Sequence, residues 1–188
     1  MKSARTQAIQ IAKEKILQHP LYLDTETTGT ERTSEIIEIG IVDDEGGVVF
    51  KSLVKPAGKI PFDVVRIHGI TNEMVIDSPR WMEVWPEVER HLAGKQVGIY
   101  NAEFDLRLIE QSSVKYRIPS SLHPDTRIFC IMKLYAQFYG EWNSTYRSYR
   151  YQSLESACKQ CRIPLYNNHR SIEDALLARA VLHYIAES

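Results

Sequence analysis

A predicted β-hairpin near the N-terminal end of the chain is the feature that most limits the possible folds. Residues 36–42 and 48–54 are apolar strands, and a turn-forming sequence of acidic residues and glycines at 43–47 joins them. A short apolar strand at 21–23 precedes the hairpin, and a further strand is expected near 97–100, in a region where strands and helices alternate. This order predicts an α/β fold in which helices cover a mixed sheet.

Helices are expected where apolar residues recur at helical spacing. The predicted helices span 4–18, 82–93, 103–113, 126–138, 153–161 and 172–186. Because no repeat or long linker divides the chain, residues 21–188 are interpreted as one domain, and residues 1–20 as an N-terminal helical extension.

Composition excludes several classes of protein. A net charge of −1 argues against a polyanion-binding protein that relies on bulk positive charge, and leaves binding through local contacts or bound metal. No apolar run approaches the roughly 18 residues that span a bilayer, and no signal-peptide core is present, so no membrane association is expected. Three cysteines, an odd number, exclude a disulfide scaffold and indicate a cytoplasmic location.

Two carboxylates follow the first short strand. Asp24 and Glu26 lie two residues apart, so in an extended chain both point to the same side, with Cα atoms about 6–7 Å apart. Two like charges at this separation repel each other, and a divalent cation with oxygen ligands would relieve the repulsion. The alternative interpretation is a polar strand end that enters a threonine-rich turn.

Further acid and base residues follow at two other places. Asp105 comes shortly after the strand near 97–100, in the first turn of a predicted helix, where it would bind a ligand or only complement the helix dipole. His169 precedes Asp174 at the start of the last helix. A loop histidine with an ordinary pKa is a capable general base at neutral pH, although a surface histidine beside a helix cap fits the same pattern.

In this order, the motifs resemble those of the DEDDh exonucleases. The matching segments are Leu-Asp-Thr-Glu-Thr-Thr-Gly at 23–29, Ile-His-Gly-Ile-Thr at 67–71, Asn-Ala-Glu-Phe-Asp at 101–105, Ser-Leu-Glu-Ser-Ala-Cys at 153–158 and His169 to Asp174. That family, the histidine-type branch of the DEDD superfamily, includes the epsilon proofreading subunit of bacterial DNA polymerase III and ribonuclease T. The resemblance covers residues 21–186. Tyr100 is a departure, because many members have histidine there, and it leaves open any substrate contact or supporting hydrogen bond of that histidine.

The resemblance implies a ribonuclease H-like fold, with a five-stranded mixed β-sheet flanked by α-helices, and an exonuclease domain at 21–188. It also implies a metal-dependent 3′→5′ exonuclease that releases nucleoside 5′-monophosphates from single-stranded DNA or RNA, in DNA proofreading or repair. Two Mg²⁺ or Mn²⁺ ions would be held by Asp24, Glu26, Asp105 and Asp174, with His169 as the general base. Carboxylates suit these ions, whereas zinc prefers nitrogen and sulfur ligands.

Substrate contacts and partners are implied in the same way. The residues expected near the 3′-terminal nucleotide are Thr25, Thr27, Thr28, Gly29, His68, Asn101 and Phe104. The expected partners are a single-stranded 3′ end and a DNA polymerase subunit. The alternatives are an RNA-trimming exoribonuclease and a non-catalytic module that binds nucleic acid or a polymerase.

One segment outside these motifs also favours nucleic-acid binding. Residues 142–151 combine four aromatic residues with two arginines and contain no acid. Aromatic rings and arginines hold single strands without reading their sequence. The alternative is a structural loop whose tyrosines pack on the sheet.

Overall fold

The structure, a computed structural model, describes residues 3–165 and 170–188. The helices in these residues are α1 (Ala4–Ile16), α2 (Phe62–His68), α3 (Trp81–Leu92), α4 (Ala102–Tyr116), α5 (Ile131–Tyr139), α6 (Leu154–Cys161) and α7 (Ser171–Glu187). The strands are β1 (Leu21–Thr27), β2 (Ile36–Val42), β3 (Val48–Leu53), β4 (Gln96–Ile99), β5 (Arg127–Cys130), β6 (Trp142–Asn143) and β7 (Ser148–Tyr149).

Five strands form one mixed sheet in the order β3-β2-β1-β4-β5. β1, β2 and β3 are antiparallel, as the predicted hairpin requires, whereas β4 and β5 run parallel to β1. The expected fold class, an α/β protein with a five-stranded mixed sheet, is therefore confirmed. β1 is central, so residues near its C-terminal end lie between elements from both halves of the chain.

Alternation along β1 divides the core into two layers. Tyr22 packs on one face of the sheet with α1, α5, α6 and α7, and Leu23 packs on the other face with α3 and α4. Asp24 and Glu26 share the side of Tyr22, since successive side chains of a strand point to opposite faces. The two acids therefore face α7.

The predicted helix at 126–138 is wrong in its first part. Residues Arg127–Cys130 form β5, and α5 begins directly after it at Ile131. Four residues are too few to show the periodicity of a strand, and the helical pattern that follows extends over them. β1 also continues through Thr27 rather than ending at residue 23, so both acids lie within the strand.

The N-terminal helix packs into the core. Ala8 and Ala12 of α1 are fully buried, and they belong to the same apolar cluster as residues of α5 and α7. Among the described residues, no helix combines the length and the apolar character needed to cross a membrane.

Candidate active site

Three carboxylates converge where β1 meets the start of α7. Asp24 and Glu26 project from β1, and Asp174 projects from the first turn of α7. Each offers one carboxylate oxygen, and these oxygens all lie within 4.8 Å of one another. All three side chains are partly buried. The arrangement provides a compact set of oxygen ligands.

The start of α7 is attached to β2 by a buried acid. Arg170 donates two hydrogen bonds to the Glu38 carboxylate, and the Ser171 backbone N–H donates a third at 3.0 Å. Burial alone would raise the pKa of Glu38, but these bonds and the nearby Lys51 outweigh it and leave the pKa below its ordinary value. Glu38 is paired with Glu26 in the β1–β2 ladder. The contact therefore brings α7 onto the strand beside the three carboxylates.

A glycine allows the helix to approach the sheet closely. Gly40 is opposite Asp24 in the ladder. A Cβ at this position would lie 2.8 Å from Ser171 Oγ and 2.9 Å from the Ile172 backbone nitrogen. Any larger side chain would therefore push α7, and Asp174 with it, away from β1.

The electrostatics of the site favour the binding of positive charge among these acids. Burial, followed by repulsion from Asp105 and Asp174, raises the pKa of Asp24 well above its ordinary value. Burial and the charge of Asp174 raise the pKa of Glu26 to about 8. Carboxylates held so close together in their ionised form need a counterion. An all-oxygen ligand set fits a hard divalent cation such as Mg²⁺ or Mn²⁺.

Asp105 approaches from the other face of the sheet. It lies in the first turn of α4, it is buried, and its Oδ1 accepts a hydrogen bond of 2.8 Å from Thr25 Oγ1. Burial raises its pKa to about 7, although the bond from Thr25 acts in the opposite direction. Asp105 is outside the group of three carboxylates, but its charge acts directly on Asp24.

The predicted substrate residues on β1 and its turn are engaged within the protein. The Thr25 hydroxyl is used by Asp105, and the Thr27 hydroxyl donates to the Gly29 carbonyl at 2.8 Å. Thr28 Oγ1 accepts the Glu35 backbone N–H at 2.9 Å. Gly29 has a φ of +148°, a backbone conformation that residues with a Cβ atom rarely adopt. These hydrogen bonds define the shape of the turn that follows Glu26.

The remaining predicted site residues differ in exposure. His68, at the end of α2, is buried, and its Nδ1 accepts the Ile70 backbone N–H at 3.0 Å. Asn101 is exposed immediately before α4, and Phe104 is half-buried under the Arg107 guanidinium. The predicted general base, His169, lies outside the described residues.

A cleft opens beside this turn. It has a volume of about 650 Å³, and Thr28, Gly29, Lys59 and Lys115 are among the residues that line it. Lys115 forms an ion pair of 2.7 Å with Glu35 at its wall. The cleft lies next to the turn that follows Glu26, and two lysines are among its lining residues.

Sequence reasoning did not identify Glu38, Gly40 or Arg170 as supports of the site. A usable signal was present, because a glutamate interrupts the strand sequence Ile-Ile-Glu-Ile-Gly-Ile-Val and the whole strand is buried. A charge within a fully buried strand needs a partner. The identity of that partner depends on a contact between distant parts of the chain.

Comparisons with known proteins point to one group of enzymes. A family model described as exonuclease, of the RNase T type, matches residues 21–182. A protein of Escherichia phage 186 named Uncharacterized exonuclease CP81 is 31% identical over 182 residues, covering 95% of this chain and 93% of that protein. The DNA polymerase III subunit epsilon of Treponema pallidum (strain Nichols) is 32% identical over 157 residues, covering 81% of this chain and 69% of that subunit.

Solved structures agree with these relatives. A structure described as Exonuclease X in complex with 5′ overhanging duplex DNA superimposes with a TM-score of 0.65 and 27% identity, over 89% of this chain and 90% of that one. The similarity therefore extends over nearly the whole length of both chains.

Proposed function

The chain belongs to the RNase T exonuclease family, in its DEDDh branch, and from this premise we propose that it shortens single-stranded DNA from the 3′ end with the help of two divalent cations. As a member of this family it is a 3′→5′ exonuclease that acts on nucleic acid. The convergence of Asp24, Glu26 and Asp174 is the observation that carries the proposal, because it supplies oxygen ligands within 4.8 Å of one another.

Asp24, Glu26 and Asp174 would hold the cations, and Asp105 would complete the site directly or through water. Bound divalent ions would stabilise the charge that develops on the attacking and leaving oxygens of the phosphodiester. The raised pKa values of Asp24 and Glu26 support this assignment, because a cation offsets the cost of burial and the repulsion between the acids, which together raise them. Bound cations would also explain how a chain of net charge −1 attracts a polyanion.

The chain's own residues would position the reacting groups. Thr25 fixes the Asp105 carboxylate by its 2.8 Å hydrogen bond, and Glu38 with Arg170 fixes the helix that carries Asp174. His169 would accept the proton of the attacking water, as its position five residues before Asp174 in the family motif implies. Thr27, Thr28 and Gly29 would border the terminal nucleotide, and Asn101 would contact it from the start of α4.

The single-stranded substrate and the biological setting are inferred from the site and the relatives. The cleft beside Thr28 would border the terminal nucleotide, with Lys59 and Lys115 among its lining residues. The relative from Treponema pallidum is a polymerase subunit by its name. We therefore include DNA proofreading or repair, and a polymerase subunit as partner, in the proposal.

End-labelled strands test the reaction. With Mg²⁺ or Mn²⁺, a DNA strand labelled at its 5′ end should shorten to a ladder, whereas a 3′ label should appear at once in a mononucleotide. The Asp174→Asn variant serves as the matched control and should release neither. The same assay with RNA decides the sugar preference, since tolerance of the 2′-hydroxyl distinguishes the two substrates.

Two results would contradict the proposal. Degradation that continues in an excess of chelator would exclude the divalent ions. Degradation of RNA with DNA left intact would replace the proposed substrate by RNA.

A further inference from the structure

Residues 142–151 form an exposed hairpin with aromatic side chains, referred to below as the aromatic hairpin. β6 and β7 pair at its base, and residues 144–147 form the turn. Trp142, Tyr146 and Tyr151 are 56%, 78% and 51% exposed. These values contradict the alternative that the rings pack on the sheet, since only Tyr149 of the four aromatic residues is half-buried.

The aromatic hairpin has a defined internal structure. Asn143 Oδ1 accepts the backbone N–H groups of Thr145 and Tyr146, which closes the turn. The rings of Trp142 and Tyr149 meet edge to face across the two strands, with centroids 5.2 Å apart. The exposed rings are therefore presented by an ordered element, which lowers the entropy cost of binding a ligand to them.

The residues that directly follow the aromatic hairpin are attached to the end of β4, next to the strand that carries the acids. The Tyr100 hydroxyl, at the end of β4, donates to the carbonyls of Gln152 and Ser153 at 3.1 and 3.3 Å. Tyr100 precedes Asn101 and α4, the helix of Asp105. Tyr100 thus fixes the residues that directly follow the hairpin to the end of β4, the strand beside β1.

A second contact connects α5 to the start of α4. Lys133 of α5 pairs with Glu103, two residues before Asp105. This hydrogen bond, and to a smaller extent the nearby Tyr151, raises the pKa of Lys133. α5, which leads into the aromatic hairpin, is thereby connected to the first turn of α4.

Charge around the aromatic hairpin suits a polyanion. Residues 142–151 contain two arginines and no acid, in a chain whose total charge is −1. Arg150 is paired with the preceding Glu141 at 3.3 Å, whereas Arg147 is exposed in the turn. Exposed rings beside excess positive charge are the combination that holds single strands without sequence preference.

We propose that the aromatic hairpin is a stacking surface for the single strand on the 5′ side of the terminal nucleotide, with Tyr146 and Tyr151 as its stacking residues and Tyr100 as its positioning residue. The inference rests on the proposed function, because the strand must enter the acidic site by its 3′ end. It predicts that the enzyme binds long strands more tightly than short ones.

Equilibrium binding without turnover tests the proposal. Fluorescence anisotropy with Asp174→Asn protein, in which hydrolysis is blocked, compares oligo(dT) of about 15 nucleotides with oligo(dT) of about three. Tyr146→Ala and Tyr151→Ala should each weaken binding of the longer strand by about tenfold. The loss for the shorter strand should be much smaller, because it does not reach the hairpin. Val48→Ala, an exposed side chain on the edge strand β3, is the control and should keep the affinity for both strands.

Tyr100→Phe tests the attachment separately. It retains the buried ring but removes the hydroxyl, so it should reduce the preference for the longer strand while thermal unfolding stays close to that of the parent protein. Hydrolysis of the longer strand should show a raised KM with a nearly constant kcat.

The outcomes separate the two proposals. If the parent protein binds and degrades the longer strand, and both tyrosine variants bind it with unchanged affinity, the stacking surface is excluded and the proposed function stands. If the parent protein neither binds nor degrades any single strand, the proposed function fails, and the stacking surface with it.

Discussion

Arg170, the residue before α7, holds the carboxylate of Glu38 in the middle of β2, with its Nε 3.0 Å from Oε2. Glu38 is fully buried, and it is the ladder partner of Glu26. Two glutamates thus lie side by side on one face of the sheet. Glu38 is neutralised by the protein itself, whereas Glu26 has a pKa raised to about 8 and is available to a cation. This difference separates the residue that supports the site from the carboxylates that we propose to bind the cations.

Arg170→Met should destabilise the protein, because it leaves the buried Glu38 without its main partner. Loss of one member of a buried pair costs about 3 kcal/mol or more, partly offset here by Lys51 at 3.7 Å. Urea unfolding should show the loss, and hydrolysis measured on fully folded protein should fall as well, since Asp174 follows Arg170 closely. Adding Glu38→Leu should recover much of the stability. If the two substitutions are simply additive, the ion pair does not hold α7 on β2.

Gly40→Ala should affect activity more than stability. The new Cβ would lie 2.9 Å from the backbone nitrogen of Ile172, so α7 must shift away from β2. Overpacking of this kind costs about 1–3 kcal/mol. The same shift separates Asp174 from Asp24, which should lower the rate on folded protein by about tenfold or more. Gly58→Ala is the stability control, because its Cβ would meet its nearest neighbour at 3.9 Å. Equal effects of the two variants on stability would contradict the close approach at Gly40.

Local patterns were sufficient to predict most of the sheet. The hairpin of β2 and β3 and the strand β4 were recognised, because apolar runs bounded by turn residues determine them. β5 was missed, since its four residues lead directly into the apolar face of α5. The small hairpin of β6 and β7 was missed as well, because two-residue strands have no periodicity.

The site required more than local pattern. Asp24 and Asp174 are 150 residues apart in sequence, and their proximity follows from the packing of α7 on β1 and β2. Only the resemblance in motif order connected them beforehand. The bond between Thr25 and Asp105 was not predictable either, because it joins a strand to a helix across the opposite face of the sheet. The substrate roles predicted for Thr25 and Thr27 did not take into account that their hydroxyls form hydrogen bonds within the protein.

The metal-free protein should lose stability as the pH rises. Folding raises the pKa of Glu26 from 4.5 to about 8 and that of Asp105 from 3.8 to about 7. At a pH between the unfolded and the folded pKa of each group, the unfolded chain has released the proton that the folded protein retains. The free energy of unfolding therefore decreases as the pH rises. Urea unfolding in a chelator should therefore show lower stability near pH 8 than near pH 5.5. Glu26→Gln should flatten the dependence. Stability that rises over this interval would contradict the assigned pKa values.

His169→Ala should lower the rate of hydrolysis by about 10²–10⁴, the usual contribution of a general base. A general base must be deprotonated to act, so the pH profile of kcat/KM of the parent enzyme should contain a step that depends on His169. The variant should lack this step. His123→Ala, at an exposed loop position, is the matched control and should retain both rate and profile. A pH step that persists in His169→Ala would assign the proton transfer to another group.

Asp24→Asn should make the metal-free protein more stable and inactive at once. Burial and four neighbouring acids raise the pKa of Asp24, so replacing the carboxylate by an amide removes repulsion. A gain of about 1 kcal/mol corresponds to a rise in Tm of about 2–4 °C for a domain of this size. The rate should fall by about 10³ or more, since cations at such sites supply several kcal/mol.

Added Mg²⁺ should raise the Tm of the parent protein and leave that of the Asp24→Asn variant nearly unchanged. Glu110→Gln, an exposed acid on α4, is the control that should keep the Mg²⁺ response. A variant that loses both activity and stability in the absence of metal would indicate a structural role for Asp24. A metal ligand should instead destabilise the metal-free protein, because its charge is then uncompensated.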